Sequence, residues 1–264
     1  MIRALFFDVD GTLLSFDTHR VPDSTREALR EAHERGVKIV IATGRAAGNL
    51  APLSGLPRDG VVALNGAECV LPDGGIVART PIPQADFERS LELARRYGFA
   101  VALEFADGIY VDRVTPEVVR MVRMIDHPVP EPTDLRRLFE ERVCCQMCFF
   151  CDEAVQQRVM AELPALSASR WMPLFADIDV AGVDKATGMH RFLERFGIAE
   201  GDAMAFGDGG NDIPMLRAAG IGVAMGGASD AVKAAADHVT AAVDDDGIRR
   251  ALEHFGVIGS GIRP

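Results

Sequence analysis

No apolar run in this 264-residue chain approaches the roughly 20 residues needed to span a bilayer, and no basic-then-apolar leader precedes the first strand-like segment. A reducing cytoplasm is the expected compartment, and no membrane partner is expected. Cationic charge is in deficit. Lys and Arg number 28 against 39 Asp and Glu, a formal balance of −11 that argues against a nucleic-acid backbone as partner. Also missing are an Asn-x-Ser/Thr acceptor, internal repeats, low-complexity segments and a GxxxxGK[ST] phosphate loop. His33-Glu34 fails as an HExxH zinc site because Val37 takes the last position.

Cysteine is sparse as well, yet four of the five lie in Cys144-Cys145-Gln146-Met147-Cys148-Phe149-Phe150-Cys151. Cys145, Cys148 and Cys151 have a CxxCxxC spacing like that of an iron–sulfur run, but no fourth ligand or CysPro follows. Val143, Met147, Phe149 and Phe150 favour a buried strand in which reduced cysteine serves as a small hydrophobe.

What is present begins at Ala4-Leu5-Phe6-Phe7-Asp8-Val9-Asp10-Gly11-Thr12, an apolar strand ending in two carboxylates one residue apart. Residues i and i+2 of a strand project to one side, so Asp8 and Asp10 are expected to converge where the strand leaves the sheet. Convergent carboxylates coexist when a cation lies between them or one keeps a proton. The plainer alternative is that Asp10 only opens the turn at Gly11.

The first third alternates strand and helix. Ile2–Phe7, Val37–Ala42 and Gly60–Leu64 are expected strands, and Ser24-Thr25-Arg26-Glu27 forms the pattern of a capping box for a helix ending at Gly36. Strands apolar on both faces point to a parallel sheet covered by helices. The last third resumes this cadence. Lys185 precedes a helix with Met189, Phe192, Leu193 and Phe196 on one face and Gly197 at its end; strands follow at Ala203–Phe206 and Ile221–Ala224, a helix starts at Pro214, and Ser229 and Asp246 can cap two more. Between Gln84 and Gly182 the pattern changes to clustered short strands and helices, including a helix from Thr115 to Asp126, which suggests an inserted α+β module.

Three polar clusters fall at ends of expected strands, where open parallel sheets bind ligands. Thr43-Gly44-Arg45 offers a hydroxyl, an open backbone N–H and a cation, or is a plain strand-to-helix turn. Lys185 sets an ammonium at a helix N-terminus that already favours anions, unless it is simply solvated. Gly207-Asp208-Gly209-Gly210-Asn211-Asp212 supplies a second acidic cluster of the kind a hard cation requires. It is not a dinucleotide loop, since GxGxxG from Gly207 would need glycine at 212.

Together these clusters, in this order, resemble the four motifs of the haloacid-dehalogenase-like phosphohydrolase superfamily, and the inserted module resembles the type IIB cap of its Cof-type sugar-phosphatase subfamily; Asn65-Gly66-Ala67 matches a further segment recurring there. The resemblance implies an α/β fold, a Rossmann-like parallel-sheet core of residues 1–83 and 184–264 with an α+β cap domain inserted at 84–183. It implies Mg2+-dependent hydrolysis of small phosphorylated metabolites, sugar phosphates foremost, by a monomer. Asp8 would be the nucleophile, Asp10 the acid and then the base, and Asp8, the Asp10 carbonyl and Asp208 would hold Mg2+. Thr43, Gly44, Arg45, Lys185 and Asn211 would bind phosphate or substrate, with Asp212 orienting Lys185 or a metal-bound water. Phosphosugar mutase and a catalytically silent phosphosugar-binding regulator are the alternatives. Arg45, Glu104, Arg170 and Trp171 are candidates for selecting the alcohol portion.

Overall fold

A computed structural model describes residues 1–124 and 128–259; of Trp171 it describes the backbone alone. The chain divides into two compact units, Met1–Ala78 together with the chain from Asp184 onward, and Arg79–Val183. In chain order the first unit opens with β1 (Ala4–Phe7), α1 (Asp23–Glu34), β2 (Lys38–Ala42), β3 (Gly60–Ala63), β4 (Glu68–Val70) and β5 (Ile76–Arg79). The inserted unit contains α2 (Gln84–Tyr97), β6 (Ala100–Phe105), β7 (Gly108–Val111), α3 (Pro116–Met124), α4 (Leu135–Glu141), β8 (Gln146–Phe150), α5 (Glu153–Met160), β9 (Leu166–Met172) and β10 (Phe175–Val180). The first unit resumes with α6 (Lys185–Phe196), β11 (Ala203–Gly207), α7 (Ile213–Ala218), β12 (Ile221–Ala224), α8 (Asp230–Lys233), β13 (His238–Val239) and α9 (Gly247–His254).

The first unit holds an eight-stranded sheet in the order β13-β12-β11-β1-β2-β3-β4-β5. From β13 to β3 the neighbours run parallel, and β4 turns back antiparallel on β3. The apolar character of β1 on both faces suits its central place. Phe6 packs with Ala4, Val40 and Ala205 beneath Met189, Phe192 and Leu193 of α6 and Met215 of α7, while Leu5, Phe7, Ile39 and Ile41 alternate to the other face and are fully buried. β2 and β11 flank β1 on opposite sides, so the chain leaves the C-terminal end of β1 at the point where strand order reverses, the place where open sheets bind ligands.

The α6 helix follows its sequence signals closely. The Asp184 carboxylate accepts from the Thr187 N–H at 2.8 Å, and Gly197 ends the helix in the left-handed conformation, so Lys185 is held in the first turn. The capping box at Ser24 is not formed. α1 begins two residues earlier, at Asp23 with Pro22 as its N-cap, which leaves Ser24 inside the first turn; the Ser24 and Thr25 hydroxyls are buried without a hydrogen-bond partner among the described residues. Ser229 and Asp246 stand at the N-cap positions of α8 and α9 but neither side chain bonds the helix. The strands β4, β5 and β13 carried no pattern that marked them, being short and partly exposed.

The inserted unit is α+β: a five-stranded antiparallel sheet, β7-β6-β8-β10-β9. Phe87 and Leu91 of α2, Leu135 of α4 and Val159 of α5 cover one face, against Val101, Leu103, Met147 and Phe149. Val118, Met121 and Val122 of α3 cover part of the other, against Ala100, Ala102, Cys148 and Phe150. Ile125 and Asp126, at the end of the helix expected there, lie outside the described residues. All five cysteines of the chain are buried free thiols. Of the CxxCxxC run, Cys148 packs toward α3 and Cys151 in the opposite core, so these two thiols lie on different faces of the sheet. Val143, expected inside, is 51% exposed.

The α3 side of this sheet turns polar beyond the apolar patch. Cys148 lies opposite Asp177, and the Gln146 amide donates to Asp179 at 2.9 Å. Burial, then the charge of Glu104, pushes the Asp177 carboxyl up from 3.8 to about 8. The folded chain therefore keeps a proton that the unfolded chain has released, so the stability this group contributes is complete below pH 3.8 and is lost as pH rises toward about 8. The loss runs at about 1.4 kcal/mol per pH unit. Asp177→Asn is expected to raise the melting temperature at pH 8 and to change it far less at pH 4.5, as read by scanning calorimetry. An equal shift at both values would contradict the assignment.

No helix among the described residues is long and apolar enough to cross a membrane.

Candidate active site

Asp8 follows β1 directly, and its backbone N–H still pairs with the Phe206 carbonyl of β11 at 3.0 Å. The loop after β11 is thereby brought beside the end of β1. Lys185, fully buried at the start of α6, places its Nζ 2.6 Å from Asp8 Oδ1 and 2.6 Å from Asp212 Oδ1. Asp212 uses its other oxygen to accept the backbone N–H groups of Asp208 and Gly209, at 3.0 and 2.9 Å, which folds the glycine-rich loop tightly around it. Asp208 in turn accepts from the Thr12 hydroxyl at 3.2 Å. Gly11 has φ +86°, and a Cβ there would collide with the Asp208 carboxylate, so the turn after Asp10 requires glycine on both counts.

Asp8, Asp208 and Asp212 present oxygens that all lie within 4.8 Å of one another. Burial, and then the charge of Asp212, raises the Asp8 carboxyl well above its ordinary value against the pull of Lys185. Burial and Asp212 likewise push Asp208 up to about 6. Burial works against the Lys185 ammonium, but the charges of Asp212 and Asp8 outweigh it and raise its pKa, so it stays protonated. Three carboxylates thus face a single buried ammonium, a deficit of positive charge in an all-oxygen donor set, and that set suits a hard divalent cation.

The side chain of Asp10 has a different partner from that of Asp8. Arg45 binds it with two donors, Nε to Oδ2 at 2.9 Å and the terminal nitrogen to Oδ1 at 2.6 Å. The pair is 27% and 40% exposed, unlike the Asp8–Lys185 pair. The chain turns sharply after Asp8, so the strand rule for i and i+2 no longer applies at Asp10. Thr43 is buried at the end of β2, its hydroxyl accepting from the Arg45 N–H at 3.1 Å. Asn211 donates to Asn65 at 3.0 Å. Residues from all four clusters are therefore linked by hydrogen bonds within the first unit: Asp8, Lys185, Asp208 and Asp212 in one network, and Asp10 with Arg45 in another.

Two participants were given no role from sequence. Thr12 stood inside the first motif, and Asn65 inside the Asn-Gly pair that signals a tight turn. Arg170 donates within the inserted unit to Gln156, to the carbonyls of Met172 and Pro173, and to that of Cys151, using four of its five N–H groups. It ties the β9–β10 turn to the end of β8. The Trp171 side chain lies outside the described residues.

Residues 5–252 match the family of haloacid dehalogenase-like hydrolases. The chain belongs to that family. Within it, this hydrolase superposes on BT1666, a phosphatase of the superfamily from Bacteroides thetaiotaomicron, with a TM-score of 0.95 and 55% identity, covering 98% of this chain and 96% of that one. It superposes on BT4131, described as a subclass IIB sugar phosphatase, with a TM-score of 0.87 and 39% identity over 97% of this chain and 100% of that one. YkrA of Bacillus subtilis (strain 168) is 31% identical over 97% of this chain and 98% of its own length. The sequence resemblance to the Cof-type, IIB branch therefore holds. This haloacid dehalogenase-like hydrolase is a phosphatase acting on phosphorylated small molecules.

Proposed function

We propose that this phosphatase hydrolyses hexose or pentose phosphates, using Mg2+ and a covalent intermediate on Asp8. The observation that carries the reading is the group of Asp8, Asp208 and Asp212, two of them buried and one half-buried, beside one ammonium at the strand end where β1 meets β11. Bound there by Asp8, Asp208 and the Asp10 carbonyl, Mg2+ would offset the repulsion between these carboxylates and the phosphoryl oxygens. Asp8 attacks phosphorus, forming an aspartyl-phosphate as the bond to the sugar oxygen breaks. Asp10 gives its proton to that departing oxygen, then takes one from the water that hydrolyses the intermediate, restoring Asp8 and releasing phosphate. Both Asp10 oxygens are engaged by Arg45. Each Asp10 oxygen thereby keeps a further lone-pair direction for a substrate oxygen or water, while Arg45 fixes the plane of the carboxyl group.

Thr43, the Gly44 N–H, Lys185 and Asn211 bind the transferring group, and Asp212 orients Lys185. The inserted unit serves as the family's cap and selects the alcohol portion. Sugar phosphates are favoured because BT4131, 39% identical, is described as a sugar phosphatase. YcsE of Bacillus subtilis (strain 168), 27% identical over 96% of both chains, is named for a substrate bearing a phosphoribityl chain, another phosphorylated polyol.

The test is phosphate release from p-nitrophenyl phosphate and a panel of sugar phosphates, nucleotides and phosphoproteins, with Mg2+ and with EDTA. Turnover is expected with Mg2+, falling at least about a hundredfold with EDTA, a loss of roughly 3 kcal/mol in transition-state binding. Sugar phosphates are expected to rank first. Turnover that survives EDTA overturns the metal assignment, and a nucleotide or phosphoprotein at the head of the ranking overturns the substrate class.

A further inference from the structure

We propose that Asn65 is a positioning residue for phosphoryl binding, acting through Asn211; the inference rests on the phosphoryl-binding role given to Asn211 above. Asn65 sits in a turn of unusual backbone. Leu64, Asn65 and Gly66 have φ of 49°, 50° and 104°, three consecutive residues in the left-handed region, two of them not glycine. Such a conformation persists only where surrounding contacts impose it.

Those contacts come from the sequence clusters that build the site. The Leu64 N–H donates to the Arg45 carbonyl at 3.1 Å and the Asn65 N–H to the Thr43 carbonyl at 3.0 Å, so the turn is clamped along Thr43-Gly44-Arg45. Arg191 of α6 donates to the Gly66 carbonyl at 3.2 Å, and a Cβ at Gly66 would collide with the Asp184 carbonyl, immediately before Lys185. The third connection is made by the side chain itself. Asn65 Oδ1 accepts from Asn211 Nδ2 at 3.0 Å, and a Cβ on Gly44 would lie 3.2 Å from that same oxygen. The buried Asn65 amide therefore lies against the backbone of Gly44 while gripping an exposed residue of the loop after β11.

The consequence for Asn211 is directional. Its amide carries two hydrogens, and the bond to Asn65 uses one of them, which fixes the plane of the amide and the direction of the other. A polar side chain on an exposed loop is thereby held in one orientation before any ligand arrives. If the turn served folding alone, glycine would suit position 65 better, since it adopts this φ without strain. Asparagine is the non-glycine residue that tolerates the conformation best and also supplies the acceptor.

The experiment compares wild type, Asn65→Gly, Asn65→Ala, Asn211→Ala and the double variant Asn65→Gly/Asn211→Ala in Mg2+-supported hydrolysis of p-nitrophenyl phosphate, with inorganic phosphate as competitive inhibitor and thermal unfolding in parallel. Asn65→Gly is expected to melt no lower than wild type, yet to lose about a hundredfold in kcat/KM and to bind phosphate more weakly. In the Asn211→Ala background the same change is expected to cost no more than about twofold, because its route of action is already gone. Asn65→Gly at wild-type kcat/KM, with Asn211→Ala impaired, overturns the inference alone. So does a loss that multiplies in the double variant. Should Asn65→Ala fail to fold, the glycine variant decides. Asn211→Ala at wild-type kcat/KM overturns the phosphoryl-binding role, and this inference with it.

Discussion

Asp8→Asn is expected to lower phosphate release at least about ten-thousandfold while raising the melting temperature. The two effects have one origin. The amide matches the carboxylate in shape but is no nucleophile, so the covalent step is lost. Burial first, then the charges of Asp212 and Asp208, hold the Asp8 carboxyl well above its ordinary 3.8, so its ionised form weighs against the folded state. Removing that charge relieves the strain, and the gain in stability is expected to grow as pH rises above 3.8, where the unfolded chain has released the proton. Initial rates with p-nitrophenyl phosphate and calorimetry at two pH values check both halves. Turnover near wild type would exclude covalent catalysis through Asp8. A lower melting temperature would mean that the bond to Lys185 outweighs the repulsion among the carboxylates.

Lys185→Met is expected to cost about 3–5 kcal/mol of stability, the usual penalty for removing one partner of a buried ion pair, and to lower turnover at least about a thousandfold. Lys185 is completely buried and lies 2.6 Å from both Asp8 and Asp212, so methionine fills the space and leaves two carboxylates facing each other without a cation. The double variant Lys185→Met/Asp212→Asn separates the two losses. Removing one of the carboxylates is expected to recover most of the melting temperature, whereas turnover stays low because no ammonium faces the transferring group. A Lys185→Met protein that melts and turns over like wild type would show that the ammonium contributes neither to the fold nor to the reaction.

The chemistry of the site was readable to different depths in its different parts. The strand that ends in Asp8 was marked by its apolar run, and the helix that presents Lys185 by an apolar stripe and a terminal glycine. The stripe and the glycine are local signals, complete within a dozen residues, whereas the cap at Asp184 came from the structure. The strand rule could not say what holds Asp10, because β1 ends at Phe7 and Asp10 lies in the loop beyond it; Asp8 pairs with Lys185 and Asp10 with Arg45. The capping box at Ser24 failed for an equally local reason, with Pro22 taking the N-cap position two residues sooner. Arg170 was named from sequence as a candidate for selecting the alcohol portion; the partners that hold it, carbonyls of the β9–β10 turn among them, come from residues the sequence does not pair with it.

What the sequence determined by itself is the α/β class of the first unit, the α+β character of the inserted one, and the identity of the loops that carry acidic and cationic groups. These follow from burial on one or both faces of short segments and from a few residues that start or stop them. Only the tertiary structure decided which group meets which. Lys185 and Asp8 are 177 positions apart, Asn211 and Asn65 are 146 apart, and Thr12 and Asp208 are 196 apart. No periodicity spans such distances. They meet because the order β11-β1-β2 sets three strand ends side by side, and a charge buried there must take whichever partner the neighbouring loops supply.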